Sequence, residues 1–95
     1  MLEKYFKEEE WEDYIEFFEE RKYKYDMLED FNKLKNNLNN DRILAIIIWE
    51  LIGSKYANSW ILNPNDALEK KSPIDCINNV TLTKRLKVVL MRLPC

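Results

Sequence analysis

A chain of 95 residues, 46% hydrophobic and 34% charged, has the length of one small domain and the apolar content to fold, which excludes a disordered tail. One Gly and three Pro leave little material for hairpin turns and favour helices over a sheet-rich fold. The absence of His removes the usual general base and the commonest zinc ligand, two Cys are too few for a disulfide framework or metal site, and the net charge of -2 gives no overall attraction for nucleic acid.

The first expected helix runs from Lys7 to Lys22. Trp11, Tyr14, Ile15 and Phe18 recur at i, i+3, i+4 and i+7, one helical face. Glu8, Glu9 and Glu10 near its start and Arg21 and Lys22 near its end follow the order the helix dipole prefers. The aromatics read as core, with a partner-binding face as the alternative. A second amphipathic helix is expected from Asp26 to Leu38, with Leu28, Phe31, Leu34 and Leu38 as its stripe, Asp26 as N-cap, and Met27 and Tyr25 widening the stripe. The Asn-rich stretch 36–40 then loosens the pattern.

The third element, Asp41 to Ile52, is rich in β-branched residues, and propensity alone would allow a strand. An N-cap at Asn40 or Asp41, Gly53 as a stop and a length of three turns favour a helix. Because Ile43–Ile52 is apolar except at Glu50, it is expected to be the central helix, covered on several sides. Ser54 opens a short helix carrying Tyr56, Trp60 and Ile61, and Asn63-Pro64-Asn65-Asp66 ends it. Leu68 anchors the following loop, with Lys70 and Lys71 exposed. Ser72 as N-cap with Pro73 at the first helical position starts a fifth helix, from which Ile74 and Ile77 face inward. The last helix, Thr81 to Leu93, sets Leu82, Leu86, Val89, Leu90 and Leu93 inward and Lys84, Arg85, Lys87 and Arg92 outward, and Pro94 stops it. The expected fold is all-α, a compact bundle of five or six short helices around a buried central helix. Residues 1–40 form an acidic aromatic helical extension to a helical unit at 41–95. Trp49 and Trp60 are both expected in the core.

Charge is unevenly spread. Residues 1–30 hold twelve Asp/Glu against five Lys/Arg, whereas residues 67–95 hold six Lys/Arg against two Asp/Glu. The first element is therefore expected to pack near the last, with an acidic surface for a basic partner as the alternative. Paired carboxylates such as Glu8 with Glu12 are read as solvated charge, and neither a phosphate loop nor an activated nucleophile is in sight with one Gly and no His. No enzymatic activity and no cofactor are expected. The start, MLEKYFKEEE, shows no leader, and the apolar run Ile43–Trp49 is too short for a bilayer, which takes about 20 residues. A cytoplasmic protein is expected.

One stretch carries a pattern. Trp49 stands near the end of an apolar helix. Ala57, Trp60 and Ile61 follow in a short helix, then Asn63-Pro64-Asn65, Leu68 and Ser72-Pro73-Ile74-Asp75. From Leu44 to Leu93 the chain resembles the toxin-binding domain of Xre/MbcA/ParS-type antitoxins. The resemblance implies an all-helical antitoxin that binds and blocks a RES-domain toxin, an enzyme that consumes NAD, by bringing its C-terminal part to the toxin's cleft. Carried over, Trp60, Asn63 and Pro64 belong to the partner-binding surface, and Lys87, Met91, Arg92, Leu93, Pro94 and Cys95 form the blocking element. Lys70 and Lys71 stand where the family often has glycines, and Leu93-Pro94-Cys95 where it has an aliphatic-Gly ending. The helix-turn-helix that many members carry in front does not fit the forty acidic residues here.

Two other readings accompany it. In one, a phage or mobile-element inhibitor blocks a host defence factor through the acidic helix, with Glu9, Glu12, Glu16 and Glu20 entering a basic groove. In the other, the chain is a small DNA-binding regulator, against which the acidic first third and the pI of about 5.2 weigh. A protein partner is expected in the first two, and self-association is left open.

Overall fold

The computed structural model describes residues 2–93. Among them are six α-helices: α1 (Glu8–Glu19), α2 (Glu29–Asn37), α3 (Arg42–Ile52), α4 (Ala57–Trp60), α5 (Pro73–Cys76) and α6 (Val80–Arg92), with 3₁₀ turns at Leu2–Tyr5 and Asp66–Leu68. No strand occurs among the described residues; the one β-bridge pairs Asn65 with Lys71. The all-α bundle expected from the periodicity is what the chain forms.

The centre is α3. The Asp41 carboxylate accepts from the Leu44 N–H at 3.1 Å, and Gly53 at φ 97° takes the chain away after Ile52. Between these signals Ala45, Ile46, Ile47 and Ile48 are all fully buried. Four consecutive buried positions point in all directions around a helix, so α3 must be enclosed, and α1, α2, α4 and α6 all pack on it. This enclosure overrides the modest reluctance of Ile for helix. The core continues into Trp11 and Phe18 of α1, Phe31 and Leu34 of α2, and Leu86, Val89 and Leu90 of α6. Phe31 meets Trp49 edge to face at 5.6 Å between ring centroids.

Several boundaries differ from the expected ones. α1 stops at Glu19 rather than Lys22, and hydrogen-bonded turns fill the way to Met27. Arg21 still serves the helix end, donating to the Phe17 carbonyl at 2.9 Å. α2 begins three residues later than expected. Its N-cap is Leu28, with no side-chain bond, while Asp26 pairs with Arg42 at the start of α3. Met27 does not widen the apolar stripe; it is 95% exposed. The Asn stretch is not mere looseness. Asn39 and Asn40 sit at φ 57° and 61°, left-handed backbone that Asn tolerates better than most residues, and the Asn40 N–H returns to the Lys35 carbonyl at 2.9 Å.

The fourth helix is shorter than expected. Ser54 does not cap it; the chain turns through residues 54–56 and Tyr56 precedes the helix. Trp49 is in the core, but Trp60 is only half-buried. In α5 the anchor is Cys76, fully buried, with Ile74 and Ile77 half-buried beside it. The last helix opens one residue earlier, at Val80, with the Asn79 side chain accepting from the Leu82 N–H at 2.9 Å. Arg85 is not on the solvated side: it is 6% exposed.

Candidate functional site

The stretch from Ala57 to Asp75 is a sequence of stops and starts, each made by a local hydrogen bond. The Asn63 amide donates back to the Ser59 carbonyl at 2.8 Å and closes α4. Pro64 then prevents continuation. The Asn65 side chain accepts from the Ala67 N–H at 2.9 Å and nucleates the 3₁₀ turn, whose Leu68 is fully buried. The turn ends through Glu69 and Lys70, at φ 56° and 67°, and the Lys70 N–H returns to the Asn65 carbonyl at 2.9 Å. Ser72 caps α5 by accepting from the Asp75 N–H at 3.3 Å, with Pro73 as the first helical residue. The Ile74 N–H reaches the Ile61 carbonyl at 3.0 Å and ties α5 to the end of α4. The spacing of Trp60, Pro64, Leu68, Ser72 and Pro73 is thus the spacing of a folded joint. Its outer surface presents Leu62, Asn63 and Pro64 to solvent, beside the half-buried Trp60.

The C-terminal part of α6 is bound into the molecule by the N-terminal segment. The Arg85 guanidinium donates to Glu3 at 2.7 Å through Nε and to Glu69 at 3.0 Å through Nη1. Burial would raise the Glu3 carboxyl, but the Arg85 hydrogen bond and charge outweigh it and hold Glu3 below its ordinary 4.5; the same bond to Glu3 raises Arg85. The Lys87 ammonium lies over the Trp11 ring at 5.0 Å and the Phe6 ring at 5.7 Å, and the Arg92 guanidinium over Tyr5 at 5.2 Å. The Tyr14 hydroxyl donates to the Leu90 carbonyl at 3.2 Å. Met91 and Leu93 pack partly against the core. Pro94 and Cys95 lie outside the described residues.

The expected partner-binding residues therefore fall in two groups. Trp60, Asn63 and Pro64 belong to α4 and its exit, which packs on α2 and α3. Lys87, Met91, Arg92 and Leu93 belong to α6, which packs on α1, α3, α5 and the two 3₁₀ turns. Arg85 is the polar residue that sequence reasoning placed wrongly. A signal existed: Arg85 lies three residues after Leu82 and four before Val89, inside the apolar stripe, where a charge needs a partner.

Along α1 and its C-cap, Glu9, Glu12, Glu16 and Glu20 are all exposed, and none of them forms an ion pair among the described residues. Phe17 stands among them, 72% exposed. It borders a cleft of about 330 Å³ between α1 and α3, lined also by Tyr14, Phe18, Arg21, Glu50 and Leu51. Glu50, the acidic residue of α3, accepts from the Tyr25 hydroxyl at 2.9 Å and pairs with Arg21 at 3.3 Å. Burial, and then the bond to Glu50, push the Tyr25 phenol above its ordinary 10.0. Burial likewise raises the Cys76 thiol. No group of three or more acidic or Cys side chains suited to a metal ion occurs among the described residues, and no helix there is long and apolar enough to cross a membrane. In comparison with known proteins, the chain matches no protein-family model, no curated protein and no solved structure.

Proposed function

We propose that this protein is an antitoxin-like inhibitor, acting in the cytoplasm by binding and occluding a partner enzyme of the NAD-consuming RES type, without chemistry or a cofactor of its own. The observation that carries the reading is the motif set from Trp60 to Asp75 and the joint it builds. Each motif residue ends, bridges or starts a helix there, and the joint leaves Leu62, Asn63 and Pro64 outward beside Trp60. A half-buried Trp next to an exposed turn suits an interface anchor, because such residues already hold a fixed rotamer before binding. On this reading α6 is held in place by Arg85, Lys87 and Tyr14 contacts, so that its end reaches a partner's cleft at little ordering cost.

The test is recovery of the tagged full chain from its native host. A small enzyme in fixed stoichiometry, released by Trp60→Ala or by deleting residues 91–95, is the expected result. A nuclease complex, or no partner at all, counts against the reading.

A further inference from the structure

The cleft between α1 and α3 combines two features that a free surface does not need together. Its walls are apolar, from Tyr14, Phe18 and Leu51, yet the Phe17 ring at its edge is 72% exposed. The charges inside are already matched, since Arg21 pairs with Glu50 at 3.3 Å. The rim is not. Residues 8–20 contain eight Asp/Glu and no Lys or Arg. Asp13 precedes Phe17 by four residues and Glu20 follows it by three, so both share its helix face. Asp13, Glu16 and Glu20 are all exposed.

We propose that this cleft is a docking site for a basic amphipathic helix of a protein partner. An apolar side chain of that helix would seat beside Phe17, and its Lys and Arg side chains would lie along Asp13 and Glu20. Charge decides the occupant. A two-fold pairing of this chain with itself would set the same acidic face against its copy. A head-to-tail copy offers no better anchor, because the apolar side of α6 is spent in the core and Arg85 and Lys87 are engaged within the chain. Nucleic acid is repelled. A basic helix with an apolar stripe satisfies both the ring and the rim. The surface shares no residue with the Trp60–Pro64 turn or the α6 tail, so it stands independently of the occlusion reading.

The experiment is an NMR titration of the isotope-labelled full chain with a synthetic helical peptide of Leu and Lys, about 18 residues long so that helix is accessible, and with the same peptide carrying Glu for Lys. Saturable shifts confined to Tyr14, Phe17, Leu51 and their neighbours are expected from the Lys peptide alone. Phe17→Ser, an exposed change that leaves the circular dichroism unaltered, weakens binding by about tenfold, as loss of an anchor does. The pair Asp13→Lys with Glu20→Lys weakens it comparably. Failure of the Lys peptide to bind overturns the proposal. Binding that Phe17→Ser leaves unchanged also overturns it, as charge attraction without a seat. A dimer in sedimentation that Phe17→Ser dissolves would give the cleft to a second copy instead.

Discussion

Gly53 and Lys70 both take positive φ, Gly53 with an extended ψ of 146°. Gly53 sits at φ 97° with nothing within 4 Å of where a Cβ would stand, so only backbone conformation restricts it. Gly53→Ala is expected to cost about 1–3 kcal/mol, read from denaturant unfolding. Lys70, at φ 67°, is a non-glycine residue in left-handed backbone. Lys70→Gly is expected to stabilise by up to about 1 kcal/mol, because the strain it relieves exceeds the added freedom of the unfolded chain. Two ionisable residues contribute to the pH dependence of stability. The Glu3 carboxyl is held below 4.5, so its contribution is present above that value and is lost as pH falls through its lowered folded-state value. Amide protection at Leu2–Phe6, corrected for the intrinsic pH dependence of exchange, should fall in acid, and Glu3→Gln should remove that fall. The Tyr25 phenol is raised above 10.0, so its contribution holds up to that pH and is lost as pH rises through the raised value. Tyr25→Phe should flatten the alkaline limb of the stability profile.

At the scale of elements, the helices with strong end signals were legible and those set by tertiary contacts were not. Asp41 with Gly53, and Ser72 with Pro73, name their helices because a side-chain cap and a special backbone residue act locally. Asp41→Ala and Ser72→Ala are each expected to lower stability by about 1 kcal/mol, measured by thermal unfolding. The start of α2 was not legible. Asp26 looks like a cap, but Arg42 claims its carboxylate from sixteen residues away. The place of Arg85 inside the apolar stripe was a readable sign of its burial, but its partner Glu3, 82 residues away in sequence, was not legible. At the candidate site, Asn63, Pro64, Asn65 and Ser72 were readable as turn chemistry. The half-burial of Trp60 needed the packed chain, whereas the packing of the N-terminal segment near α6 was legible in the charge split, and only its individual contacts were not.

For the whole molecule, the charge split is partly internal. The acidic N-terminal segment does pack on the basic last helix, through Glu3, Phe6 and Trp11. The outer face of α1 nevertheless keeps its carboxylates in solvent. The radius of gyration of 12.5 Å is what a fully compact chain of this length has, about 12–13 Å. Trp11, Phe18, Phe31, Leu34 and Leu38 share one cluster with α3. A fragment of residues 41–95 would lose that cover, and it is expected to lack a cooperative thermal transition. Ile47→Ala in the full chain is expected to cost about 2–5 kcal/mol, a large share of the stability a domain this small commands.

The occlusion account is tested most directly by NAD consumption of a RES-type partner enzyme, assayed with and without equimolar full chain. The full chain is expected to suppress NAD loss, and Trp60→Ala, folded by circular dichroism, to restore it. NAD loss at an undiminished rate in the presence of the folded full chain would contradict the account.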